Sequence, residues 1–458
     1  MTIATMTADI SQVDAAEALV ELCGENIRYE KSSKCWLTFQ PTTGWIVDDD
    51  NGEIQEKIVT SLRHLGELVP EELPRFEKKK FTTVRSRSVK KLETAGAISS
   101  ISSVAARKKS VGVSPSQIDA RPDLLGTPNG VVNLRTGKLS PFSHDEIITR
   151  RVPITYNPTA TCPRWEKFLR EVLGPDKETQ EHFQRLVGYL FTGETREQQM
   201  WLLIGAGSNG KSTLLRTLMM TMGPGYSQQA AEEVLVKKST SGGASSELVR
   251  LKGVRTAVLT ETDHGQALHE SRVKALVSGD VITARALYEN YQQFAPMAKY
   301  LLATNHLPNV KGSDEGIWRR LVVIPFLAHF TVGADPKLEA TLDSELEGIL
   351  NWAVRGAVLY YRSGLGKIPA KWKAATDDYR TDQDVVTAFL ASCTKAKGGN
   401  LVPASDLYAA YQAWSARENL TVLEQAAFGN RLTNSGKAVR TKYGHDRRWH
   451  WKGLVLTK

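Results

Sequence analysis

Apolar residues recur at helical spacing over 15–30 and alternate in two short runs across 34–50, about a turn from Pro41 to Gly44. Helical spacing returns over 53–67. From Glu93 to Gln117 the chain is rich in Ser and Ala, and Leu92, Ile98, Ile101 and Val104 sit at roughly helical spacing. Both a linker and a helix fit that stretch. Residues 121–157 read as loop and short strands, with turn chemistry at Asn129-Gly130 and Thr136-Gly137. Pro163 opens a helix whose apolar residues, over 165–173, fall on one face, and a second helix spans 176–192 and stops at Gly193. The pattern then changes to strand, glycine loop, helix. A mixed-charge stretch with Gly and Pro over 363–384 reads as a break. Beyond it, helices are expected over 385–394, 403–417 and 424–434, followed by a hairpin-like run.

At about 150 residues per domain, 458 residues suggest about three domains. A content of 41% hydrophobic and 24% charged residues excludes a mostly disordered or fibrous chain. No run approaches the ~18 apolar residues that cross a bilayer, and no Lys or Arg precedes Arg28, so no membrane partner and no secretory leader is expected. Cys23, Cys35, Cys162 and Cys393 show no C-x-x-C spacing and read as reduced thiols. The formal charge is +9. From Arg431 onward eight basic residues face one acid, and a second basic run joins Lys78–Lys80 to Arg85, Arg87, Lys90 and Lys91. Such a balance permits a polyanion partner.

Residues 200–218 carry the chemistry. Met200 to Ile204 reads as a buried strand. Gly205, Ala206, Gly207, Ser208, Asn209, Gly210, Lys211, Ser212 and Thr213 then give G-x-x-x-x-G-K-[ST] and a helix start. Glycines let backbone N–H groups close around a β-phosphate, Lys211 reaches the β- and γ-phosphates, and Ser212 ligates Mg²⁺. An apolar strand over 254–261 ends in Glu261, placed to deprotonate an attacking water and to help hold the metal. Thr260 stands where a second acid is usual, so Mg²⁺ rests on Ser212, phosphates and waters, or Asp263 helps. A third strand over 300–304 ends in Asn305, a candidate partner for the attacking water or γ-phosphate. Arg319 and Arg320 precede the strand LVVIPF. They are surface charges or arginine fingers from a neighbouring subunit. Residues 274–296 alternate like a hairpin with its tip near 287–290. They offer Lys274, Arg285, Tyr288, Asn290 and Tyr291 to single-stranded nucleic acid. The outline of 385–458, three helices and a hairpin, is that of a winged helix, with Arg431, Arg440, Lys442, Arg447 and Arg448 available for phosphates.

The ordered motifs GAGSNGKST, AVLTE, KALVSGDVITAR, LLATN and WRRLVVIPF resemble the superfamily 3 helicases, and most closely the poxvirus-D5-like branch found in the C-terminal half of P4-family phage/plasmid primase-helicases. DLLGTPNGVVNLRTGKL with Cys162-Pro163-Arg164-Trp165 resembles the region before that core. The resemblance implies an α/β fold: an AAA+-type P-loop core with a parallel sheet, an N-terminal α+β or helical accessory domain (1–120), a D5-type region and helical collar (121–196), the core itself (197–330), a helical segment and linker (331–384) and the winged-helix-like domain (385–458). It implies a replicative helicase using ATP and Mg²⁺, a homo-hexameric ring with ATP at its interfaces, and movement 3′ to 5′ on single-stranded and forked DNA in a bacterial host's cytoplasm. By motif position Lys211, Glu261, Asn305 and Arg319 or Arg320 are catalytic, and Lys274, Asp280 and Arg285 fall in the superfamily's own motif. Relatives often begin with a primase-polymerase domain for which this chain has no evident segment, so primase activity is expected from a separate partner. An ATP-binding origin-recognition protein and a remodelling ATPase without unwinding are the alternatives.

Overall fold

The computed structural model describes residues 7–236, 244–260, 267–285, 291–310, 315–330, 335–383, 385–418, 420, 422–434, 437–443 and 447–457. In the N-terminal part, strands Ile27–Glu30, Cys35–Gln40 and Gly44–Asp48 form an antiparallel meander, and Gly112–Val113 adds a parallel edge. The apolar spacing expected over 15–30 is split. The helix is Gln12–Cys23, opened by a Ser11–Asp14 capping box, and Ile27–Glu30 is a strand. The Asp48 carboxylate accepts the backbone N–H groups of Glu53 and Ile54, capping helix Gly52–Glu67. The Ser/Ala-rich stretch is a helix, Ala95–Ala105, capped by Thr94. Leu19, Trp36, Ile58, Leu62 and Ile101 fill this unit's core.

Strands Leu124–Thr127, Gly130–Asn133 and Lys138–Ser140 form a second meander, turning where Asn129-Gly130 and Thr136-Gly137 predict. Helices Pro163–Leu173 and Lys177–Phe191 follow. Trp165, Phe168, Leu169, Val172 and Leu173 are buried, as the one-face spacing requires. Helix Lys177–Phe191 packs on Leu346–Ser363 through glycines. A Cβ on Gly188 would lie 2.0 Å from the Ala357 nitrogen, and one on Gly356 would lie 2.1 Å from the Gln184 carbonyl oxygen. Only hydrogen fits at this crossing.

The central unit is a five-stranded, wholly parallel sheet. Its spatial order is Leu321–Pro325, Met200–Ile204, Lys299–Thr304, Thr256–Thr260 and Ser227–Gln229. All but the polar edge strand Ser227–Gln229 are largely apolar runs, because both faces of the sheet are covered. Of the break expected over 363–384, residues 364–369 are a connection, but Ala370–Asp382 is a helix. Its charges face outward while Trp372 and Tyr379 are buried, and the Thr376 hydroxyl accepts the Val323 N–H at 2.9 Å. The helix is thereby bound to the edge strand.

In the C-terminal unit, helices Val385–Cys393, Ala404–Arg417 and Gln425–Asn434 pack on a sheet ordered Thr394–Pro403, Arg448–Leu456, Val439–Tyr443. Phe389, Leu407, Tyr411, Trp414, Phe428 and Trp451 form its core. The strand Thr394–Pro403 is an addition to the three-helix-and-hairpin outline; its Lys- and Gly-rich sequence carries no clean alternation.

Candidate nucleotide site

Strand pairing builds the site. Ile204 is in register with Thr304 on one side and with Pro325 on the other. Gly205 and Asn305 therefore leave neighbouring parallel strands at the same level. Gly207 and Gly210 have φ of +97° and +87°, and Ser208 has +45°, so three of the six loop residues turn through the left-handed region. A Cβ on Gly205 would lie 2.0 Å from Asn209 Nδ2 and 2.7 Å from the Phe326 oxygen, whereas one on Gly207 would meet none of the described residues within 4 Å. The loop is tight at its root and open at its crest.

Gly210 ends the loop and Lys211 starts helix Lys211–Tyr226, aiming its free N–H groups at the loop's concavity. Leu214, Leu215 and Leu218 anchor this helix on the core. Lys211 is buried. Its Nζ donates to the Gly205 oxygen (2.6 Å), Asn209 Oδ1 (3.1 Å) and Asn305 Oδ1 (3.3 Å). Burial lowers its pKa from the usual lysine value. A cation so held, with no carboxylate among these partners, favours an incoming anion. Among the described residues Asn209 Nδ2 is buried and has no hydrogen-bond partner, a donor that a phosphate oxygen would satisfy. Ser212 is exposed in the helix's first turn, and Ala206 and Ser208 are exposed on the loop.

Three supports leave no local signature in the sequence. The Phe326 N–H donates to the Ile204 oxygen and the Phe330 N–H to the Ser208 oxygen, both at 2.8 Å, so the chain leaving strand Leu321–Pro325 straps the loop. Arg216 on helix Lys211–Tyr226 makes a bidentate pair with Asp343 (2.8 and 2.7 Å), and Glu345 caps helix Pro163–Leu173 by accepting the Arg164 and Trp165 N–H groups. These partners lie 127 to 181 residues apart, beyond any local pattern.

Other candidates fall elsewhere. Glu261 and Asp263 lie outside the described residues, as do Tyr288 and Asn290. Thr260 ends its strand and accepts a hydrogen bond from Gln229 Nε2 (3.2 Å). Arg319 and Arg320 precede Leu321, which is paired with Met200. They therefore sit at the end of the strands opposite the glycine loop, one strand length away, or about 16 Å at ~3.3 Å per residue. Arg320 is buried, donating to the Gly316 oxygen (2.6 Å) and Ser278 Oγ (3.1 Å), while Arg319 is exposed. The hairpin starts later than the alternation suggests. Lys274 is on helix Glu270–Ser278, and the paired arms are Ile282–Ala284 and Gln292–Phe294. Arg285 lies 4.9 Å over the Tyr291 ring. In the C-terminal sheet Arg440 and Lys442 lie 4.3 and 4.9 Å over exposed Trp449, and Arg447 and Arg448 are exposed at the turn into its strand. Arg431 turns back to the Gln383 carbonyl. Among the described residues no group of three His, Cys, Asp or Glu side chains forms a metal cage, and no helix is long and apolar enough to cross a membrane.

Residues 16–174 match the family described as D5 N terminal like, 203–320 a family of unknown function (DUF5906), and 381–450 the family described as Poxvirus D5 protein-like. A protein of Acanthamoeba polyphaga mimivirus named as a helicase, L207/L206, is 34% identical over 236 residues, 51% of this chain and 24% of that one. An African swine fever virus protein named as a primase, C962R, is 31% identical over 210 residues, 44% and 22%. A Frog virus 3 protein named as a helicase, 022R, is 26% identical over 261 residues, 53% and 27%. The chain spans about a quarter of the length of these relatives. They come from viruses of eukaryotes, whereas the motifs alone suggest a bacterial host. In three dimensions the chain is similar to the apo NrS-1 C-terminal region, with a TM-score of 0.52 at 11% identity over 96% of this chain and 98% of that one, a likeness of fold.

Proposed function

The chain being a D5-like protein of the superfamily 3 helicase and primase-helicase group, we propose that it is an ATP-driven replicative DNA helicase acting as a hexameric ring. One observation carries the reading: Lys211 and Asn305 are brought together at the mouth of a parallel sheet, beside a loop whose crest is open. When ATP enters, its phosphates take the place of the Gly205, Asn209 and Asn305 oxygens around Lys211. That exchange frees the Asn305 amide to orient an attacking water, and Glu261 accepts the water's proton. Mg²⁺, held through Ser212 and the phosphates with help from the Glu261 carboxylate, would neutralise charge on the β- and γ-oxygens. Arg319 supplies transition-state charge to the next subunit's site, because the sheet separates it from its own P-loop. The Arg285–Tyr291 arm faces single-stranded DNA, translocation runs 3′ to 5′, and the C-terminal unit grips phosphates as a winged helix through Arg440, Lys442, Arg447 and Arg448, with Arg431 at its inner edge. Priming falls to a separate protein, and the setting is the host's cytoplasm.

Strand displacement on a forked duplex, with ATP and Mg²⁺ and the purified chain, tests this. Displacement that requires ATP and a 3′ tail supports it. ATP turnover without displacement on any fork gives a remodelling ATPase, and binding without turnover gives an assembly protein.

A further inference from the structure

Helix Arg75–Leu92 carries eight basic residues and one acid, Glu77. One cation is used internally: Arg85 is fully buried and donates to the Leu65 and Thr7 carbonyls. With Ser88, which donates to Asp9 at 2.6 Å, and with Val89 and Leu92, it fixes the helix to the N-terminal unit. The opposite face holds Arg75, Lys79, Lys80, Arg87, Lys90 and Lys91, all exposed. None of these six forms an ion pair with another described residue. Other surface helices of this chain pair their lysines at i,i+4, as in Lys167–Glu171, Lys177–Glu181 and Lys373–Asp377. Like charges left together on one helix repel.

We propose that this face is a second nucleic-acid contact, binding the phosphate backbone independently of the C-terminal unit. Lys79, Arg87 and Lys90 are eight and three residues apart on one helix, roughly 12 and 4.5 Å of rise at ~1.5 Å per residue, so they form a stripe rather than a point. Thr82, Thr83 and Ser86 between them add no negative charge. Apart from Phe76 at one end, the face offers no large exposed apolar anchor, which a protein interface needs at its centre. A row of cations without an apolar centre suits a polyanion, and it carries no base readout.

The test uses the full chain with Lys79→Gln, Arg87→Gln and Lys90→Gln together, titrated onto labelled duplex and single strands from 50 to 200 mM salt. The slope of log affinity against log salt should fall by about 2–3, at roughly 0.9 per phosphate contact on duplex and 0.7 on single strands. Whichever strand form shows the loss is the ligand. An unaltered slope on both overturns the proposal. So does an unaltered slope with a change in assembly mass, which would assign the face to an acidic surface of a second copy. If the triple variant melts early, single substitutions, each losing a slope of about one, serve instead. ATP turnover without DNA should be unchanged. A chain that turns over no ATP at all would sink the helicase reading while leaving this slope to be judged by itself.

Discussion

Lys211 Nζ and Asn305 Oδ1 are 3.3 Å apart, although 94 residues separate them. The contact exists because Ile204 and Thr304 pair in register, so the residues after them emerge side by side. In the proposed mechanism Asn305 has no part in holding ATP and a large part in using it. Asn305→Ala should leave ATP affinity within a few-fold and reduce turnover by about 10²-fold, comparable with removing one transition-state hydrogen bond. Equilibrium binding and single-turnover hydrolysis check this; an equal loss in both would make Asn305 a binding residue.

The loop glycines should separate by position. Gly205→Ala places a methyl against Asn209 and Phe326 and should abolish nucleotide binding. Gly207→Ala meets open space and suffers only its φ of +97°, about 1–2 kcal/mol, giving a smaller loss. Calorimetric titration with a non-hydrolysable analogue ranks the two.

The glycine loop and the helix after it were legible in the sequence because their pattern is local: glycines, Lys211 and Ser212 lie within one turn and the start of one helix. Asn305 was legible because a strand end is. Helix Ala370–Asp382 was not. Its two buried aromatics are seven residues apart in a run of charges, and its amphipathicity serves one edge strand. The Glu345 cap and the Gly188–Gly356 crossing were hidden for another reason. They are made by residues distant in sequence, and a glycine that permits close packing reads the same as one that permits a turn.

That crossing gives a stability prediction. Gly188→Ala should force the two long helices apart at a cost of about 1–3 kcal/mol, lowering Tm by several degrees. Gly96→Ala is the counterpart: nothing lies within 4 Å, and helix propensity should raise stability by about 0.5–1 kcal/mol. Thermal melts followed by circular dichroism decide, and equal effects would contradict the packing argument.

His182 sets an acid limit. Burial, and then the nearby Arg185, holds its pKa at about 4, with Trp372 packed edge-on at 5.1 Å. The unfolded ring titrates near 6.5. The folded value is the lower one, so the unfolded chain binds the extra proton between pH ~6.5 and ~4. Stability is intact above that window and is lost as pH falls through it, by about 3 kcal/mol. His182→Gln should flatten this limb of Tm against pH; an unchanged limb would assign it to other groups.

The two arginines should behave differently. Arg320→Ala removes a buried pair of donor contacts and should lower Tm. Arg319→Ala should fold normally, bind ATP and turn it over poorly. Mixed with Lys211→Ala, it should recover part of the ATPase, since some interfaces then hold a sound P-loop and a sound arginine. Confirmed mixed rings with no recovery at any ratio would remove the shared site.

The most direct measurement is steady-state ATP turnover by the purified chain, with and without forked DNA, beside Lys211→Ala. Among the described residues the Lys211 ammonium hydrogen-bonds the loop and Asn305, so its loss should leave the chain folded. The account predicts turnover stimulated by DNA in the wild-type chain, and none above background in a folded Lys211→Ala protein. Equal turnover in the two would contradict it.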